Sequence, residues 1–180
     1  EDLCHGCGAC TYACEFGAIT EKDVSLGKVN TFGITDKTKI IETRARVGVY
    51  SPVEIIKKGI SEAGNNHIIL FDSPPGTSCS FIQTAAKADY VILITEPTPF
   101  GLSDLKQSVE TLKTMNIPYG VIINRAGLGD DKVHSYLKEN DISLLLEIPF
   151  DKEIAASYSR GEIIAESKPE RQEQLQKIIK

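Results

Sequence analysis

The stretch His67-Ile-Ile-Leu-Phe-Asp-Ser-Pro-Pro-Gly-Thr77 decides the fold class. From Ile68 to Phe71 every side chain is apolar, with no polar alternation. That is the pattern of a short strand buried on both faces. Asp72 ends the run, and Pro74-Pro75-Gly76 breaks it. Downstream the pattern predicts a helix over Cys79–Lys87, a strand over Tyr90–Thr95 and a helix over Ser103–Met115. Leu105, Val109 and Leu112 line one face of that helix. A strand follows at Tyr119–Ile123, ending at Asn124, then a helix over Asp131–Asn140 and a strand over Ile142–Ile148. Helices over Asp151–Ser159 and Pro169–Lys180 close the series. Apolar strands, each followed by a helix, predict an α/β protein with a parallel sheet covered by helices on both faces.

Working back from that stretch, Ser51-Pro-Val-Glu54 has the form of a capping box with Pro at the first helical position. It predicts a helix to about Ala63, stopped by Gly64-Asn65-Asn66. Residues 34–50 are expected to form a hairpin that connects residues 1–33, a small cysteine-rich module, to the α/β part over 51–180. The sheet is expected to be incomplete. A doubly wound domain commonly leads its first strand into a phosphate-binding loop, and no G-x-x-x-x-G-K-[ST] sequence occurs.

The module reads Cys4-His-Gly-Cys7-Gly-Ala-Cys10-Thr-Tyr-Ala-Cys14, a C-x2-C-x2-C-x3-C run. This is the ferredoxin spacing for a [4Fe–4S] cluster, with Glu15 in place of the usual Pro. Three thiolates at i, i+3 and i+6 meet on one cube only if the chain curls. Gly6 and Gly8 permit the curl and keep side chains off the inorganic sulfurs. Zinc sites tend instead to pair two distant C-x2-C units. His5 is read as a spacer. Two ligand assignments are open. All four thiolates can hold one cluster, or Cys4, Cys7 and Cys10 hold one while Cys14 serves a second, as in two-cluster ferredoxins. The second is favoured, with the other cysteine run expected upstream.

The 180 residues are about two-fifths hydrophobic and carry a net charge of −5. A nucleic-acid partner is not expected from that charge, nor a membrane one, since no apolar run approaches the ~20 residues of a span. Four of the five cysteines fall within eleven residues. That is a metal pattern rather than a disulfide scaffold, so a reducing, cytoplasmic setting is expected. At the sheet, an acidic residue just past a strand sits where α/β proteins bind ligands, and in P-loop proteins an Asp there holds Mg²⁺. Taken alone, Asp72 is better read as a strand end before a Pro-Gly turn. Asn124, Arg125, Pro149 and Asp151 stand at other strand ends. Glu96 and Thr98 read as a turn, and Lys106, Lys113 and Lys138 as solvated helix faces. His67 is read as a strand start and His134 as a helix surface.

These stretches, with Thr95-Glu-Pro-Thr-Pro-Phe-Gly-Leu102, Val121-Ile-Ile-Asn-Arg125, Glu147-Ile-Pro-Phe-Asp151 and Tyr158-Ser-Arg-Gly161, closely resemble the MinD-type P-loop ATPases that carry an inserted ferredoxin domain. The resemblance covers nearly the whole chain. It implies a deviant-Walker ATPase with Mg²⁺ and ATP, homodimeric when intact, and two [4Fe–4S] clusters in the intact protein. Asp72 would be the Walker B Asp, and Ser73–Thr77, with Gly76, switch II. Asn124 and Arg125 would contact the adenine, and Pro149 and Asp151 border it. The Walker A loop would lie upstream, and this chain alone would then be inactive as an ATPase. Cys79 stands where the nitrogenase iron protein has a cluster ligand; without a second upstream Cys it is read as a small residue buried at a helix start. The function implied first is ATP-driven electron transfer to a redox partner protein. Cluster carriage or assembly, and a ferredoxin module on a non-hydrolysing scaffold, are the alternatives.

Overall fold

The computed structural model describes residues 4, 6–65, 68–163, 165 and 169–179. The chain divides into two compact units, Glu1–Lys87 and Ala88–Lys180.

In the first unit a short helix α1 (Ala9–Ala13) precedes the antiparallel hairpin β1 (Gly27–Thr35) and β2 (Thr38–Ala45), then α2 (Val53–Ala63) and α3 (Cys79–Ala85). The hairpin pairs Thr31 with Ile41 and Phe32 with Ile40, and turns at Asp36-Lys37. Ile55, Gly59 and Ala63 recur every four residues along α2 and are all buried, so one stripe of the helix faces inward. Two glycines let that stripe approach the hairpin. A Cβ on Gly59 would overlap the Thr43 methyl, and one on Gly27 would overlap the Arg44 carbonyl and lie 2.7 Å from the Ile55 methyl. Lys39 Nζ donates to the Glu62 carbonyl at 3.1 Å and ties the hairpin to the end of α2.

Several expectations fail in this unit; the hairpin, for one, runs over Gly27–Ala45 rather than 34–50. The capping box at Ser51–Glu54 does not form. Pro52 is the cap, one residue later than expected, and no side chain accepts there. Instead the Ile56 amide bonds to the Pro52 carbonyl. The strand expected at His67–Phe71 is likewise not one: residues 68–71 have no sheet partner among the described residues. Ile68 and Leu70 stand 68% and 75% exposed. A run of apolar residues specifies extended backbone and burial, but a strand exists only through the ladder that a non-local neighbour supplies. His67 itself lies outside the described residues, as does His5.

The second unit is a parallel sheet in the order β3-β4-β5: β3 (Val91–Thr95), β4 (Tyr119–Ala126) and β5 (Leu144–Pro149). The helices are α4 (Pro99–Met115), α5 (Lys132–Glu139), α6 (Lys152–Ser159) and α7 (Pro169–Ile179). Gly120, Val121, Ile122 and Ile123 are buried without interruption. Successive strand residues face opposite ways, so β4 is covered on both faces. Leu105, Val109 and Leu112 of α4 and Val133 and Leu137 of α5 complete this core. Leu112 is wholly buried, which contributes about 1.5–3 kcal/mol.

The helix α4 begins four residues before the expected Ser103. Thr98 accepts the Gly101 amide at 3.0 Å and Pro99 takes the first helical position, a start that Thr-Pro announces. At the other end Asn116 adopts φ 56°, and Ile117 N–H returns to the Leu112 carbonyl, closing the helix in a left-handed cap. Strand β3 is covered on one side only. Leu93 and Thr95 are buried, whereas Ile92 and Ile94 face outward, and the outer edge of β3 is unpaired among the described residues.

Candidate functional site

The cysteine loop is shaped by glycines in left-handed backbone. Gly6 has φ 65°, Gly8 φ 72° and Gly17 φ 60°; L-residues with a Cβ rarely sit there. Gly8 caps α1, which carries Cys10, and the Tyr12 amide closes on the Gly8 carbonyl at 3.0 Å. Cys4, Cys7 and Cys10 are exposed and Cys14 is half-buried; all are free thiols. Backbone amides point at two of the sulfurs, Gly6 N–H at Cys4 Sγ (3.4 Å) and Ala18 N–H at Cys14 Sγ (3.3 Å). The Ala18 amide, and after it that of Phe16, hold the Cys14 thiol below its ordinary pKa by favouring the thiolate.

Among the described residues no three His, Cys, Asp or Glu side chains are gathered as on a metal ion. The four thiols are thus neighbours along one loop rather than a closed cage. The donor chemistry nevertheless fits a thiolate-held cluster: four sulfurs, left-handed glycines between them, and amides directed at sulfur.

Cys79 lies at the start of α3, as expected, but it is exposed and not buried. The buried face of that helix is made by Ser80, Phe81, Thr84 and Ala85, and Cys79 falls on the other side. Asp72 is exposed, in a segment without regular secondary structure. Gly76 has φ 88° in the bend that leads to Ser78, the cap of α3. Both belong to the first unit.

The remaining predicted residues are gathered by the second unit at the carboxyl ends of β3, β4 and β5. Asn124 is half-buried near the end of β4. Arg125 follows at φ 54°, an uncommon value for a residue with a Cβ. Its Nε lies 3.3 Å from Glu96 Oε1, at the end of β3. Ala126 pairs with Pro149, and the Phe150 amide donates to the Ala126 carbonyl at 3.0 Å. Asp151 caps α6, accepting the Glu153 amide at 2.8 Å. The loops after β3 and β4 meet at Gly129, where any Cβ would run into the Pro97 carbonyl.

The sequence suggests only a turn at Glu96, yet its carboxylate touches Arg125. A carboxylate in the first position past a buried strand was the available signal. His134 is not merely a helix-surface residue either: its Nε2 lies 2.6 Å from Glu147 Oε1, while Nδ1 is buried without a partner among the described residues. Lys113 and Lys138 are exposed as expected; Lys106 is exposed too, with its ammonium 5.3 Å from the centre of the Tyr136 ring.

Comparison with known proteins bears on both parts. Residues 1–20 match the 4Fe-4S binding domain family. An uncharacterized protein of Methanocaldococcus jannaschii is 36% identical over 90% of this chain and 56% of its own length. An iron-sulfur cluster carrier protein of Aquifex aeolicus is 30% identical over 59% of this chain and 34% of its own. The chain therefore spans only about a third to just over half of these relatives. Among solved structures, the MinD cell division protein of Aquifex aeolicus aligns with TM-score 0.52 and 25% identity, over 63% of this chain and 52% of that one. No helix among the described residues is long and apolar enough to cross a membrane. Residues 56–180 match the ParA family, described as NUBPL iron-transfer P-loop NTPase, and the chain belongs to that family.

Proposed function

We propose that the protein is a cluster-carrying P-loop ATPase. The run Cys4, Cys7, Cys10 and Cys14 holds a [4Fe–4S] cluster as cargo, and ATP binding by the P-loop domain controls its release to an acceptor protein. The observation that carries this reading is the accessibility of the thiols in a chain that also matches an iron-transfer NTPase family. Three of the four are exposed on a glycine-hinged loop, where incoming thiolates can reach the iron. The cluster-carrier names of several relatives support the same class. On this reading Asp72 orients Mg²⁺, Gly76 lies near the terminal phosphate, and Asn124, Arg125, Pro149 and Asp151 border the base. The intact protein works as a cytoplasmic homodimer.

A second reading, ATP-driven electron transfer to a redox partner, is favoured by a specific observation. Amides donated to Cys4 and Cys14 are the interactions that tune the potential of a resident cluster. One experiment separates the two. Full-length protein is reconstituted anaerobically with iron and sulfide, then mixed with apo-aconitase with and without MgATP. Return of aconitase activity, with loss of iron from the donor, supports carriage. A cluster that stays bound and is reversibly reduced in a potentiometric EPR titration supports electron transfer. Zinc in place of iron refutes both.

A further inference from the structure

The loop after β3 is unusually fixed. The buried Thr95 hydroxyl donates to the Gly101 carbonyl at 2.9 Å, Thr98 accepts the Gly101 amide, and the Thr98 amide returns to the Glu96 carbonyl at 2.8 Å. Gly101 itself abuts the Glu96 carbonyl closely enough to exclude a Cβ. Glu96 is thus held at its backbone from both sides. Its carboxylate approaches the Arg125 guanidinium most closely at Nε, 3.3 Å away. The Arg125 side chain is 57% exposed, and no hydrogen bond from its guanidinium is found among the described residues. Gly129 packed on Pro97 fastens the β4 loop to the β3 loop, so the partners are carried by one assembly.

We propose that Glu96 is a positioning residue: it holds the Arg125 guanidinium by Nε so that the flat face and terminal nitrogens of that group are presented to the purine base of a nucleotide at the carboxyl edge of the sheet. The chemistry follows from the guanidinium. Its plane stacks on aromatic rings and its terminal nitrogens donate to ring acceptors, provided the group is oriented beforehand. Ligands of open parallel sheets bind at this edge. A long side chain left free would lose rotamer entropy on binding, and the ion pair removes part of that cost in advance. The inference rests on the reading that this edge takes ATP, and it names the group that sets the affinity for the base.

The test uses the full-length protein with Mg²⁺ and two probes, ATP and inorganic tripolyphosphate, which lacks a base. Glu96→Gln is expected to raise the Kd for ATP about three- to fivefold, the scale of an exposed ion pair, and to leave the Kd for tripolyphosphate unchanged. In an Arg125→Ala background the same substitution is expected to add nothing. Equal weakening of both probes, or additive effects of the two substitutions, overturns the proposal and leaves Glu96 a structural residue. Unchanged ATP affinity in Glu96→Gln also overturns it, while leaving nucleotide binding intact. Binding of tripolyphosphate but not ATP by the wild type overturns both this proposal and the reading of the edge as a base site. Thermal melts of each variant separate these outcomes from unfolding.

Discussion

Replacing Gly129 by alanine tests the coupling of the two strand-end loops. Gly129 does not have a positive φ, so alanine is compatible with its backbone. At such positions Gly→Ala ordinarily stabilises by about 0.4–1 kcal/mol through the unfolded chain. Here the opposite sign is expected. The new Cβ would fall inside the Pro97 carbonyl, whereas real Cβ atoms essentially never come within 3.0 Å of such a neighbour. The obstacle is main chain, so no side-chain rotation relieves it, and the loops must part by more than about an ångström. Overpacking of this kind costs about 1–3 kcal/mol. The Glu96–Arg125 contact, at 3.3 Å, is lost with such a displacement. Urea unfolding followed by circular dichroism is expected to show a lower midpoint at unchanged slope, and ATP affinity is expected to fall in parallel. A variant as stable as wild type or more so refutes the reasoning, because the close approach would then be relieved without cost.

Further outcomes are expected elsewhere. Gly59→Ala should destabilise the first unit by driving its methyl into Thr43 Cγ2; Thr43→Ser removes that atom and should restore the urea midpoint, and a double variant no better than Gly59→Ala counts against the packing described. Leu112→Ala, at a fully buried site, should cost about 2–5 kcal/mol, read by thermal melting. Cys10→Ser should lower iron and sulfide content on anaerobic reconstitution, whereas Cys79→Ala should leave it unchanged; loss of iron in the latter would make Cys79 a ligand.

The second unit was largely legible in the sequence, and the reasons are local. Largely apolar runs at 91–95 and 119–123 became strands because sequence neighbours supplied their partners in the same unit. The cap of α4 is written in the sequence too: Thr98-Pro99 is a helix-start signal, although the same residues also read as a turn. The run at 68–71 shows the limit. Its composition matches the other strands, but pairing is a property of two segments and only one is written there. At the candidate site, the placement of Asn124 and Arg125 at the end of β4 is legible because they follow an apolar run. The contact with Glu96 is not, because register, loop packing and side-chain direction together bring residues 29 positions apart within reach.

Arg125 carries a consequence of its own. An arginine at φ 54° gives up about 1–2 kcal/mol relative to a residue without a Cβ. Selection for stability alone would install glycine there, and Arg125→Gly is expected to melt at a higher temperature while binding nucleotide less well. The position is therefore one where robustness and activity pull in opposite directions. A glycine scan for hardiness would report an improvement at this position while removing the group proposed to read the base.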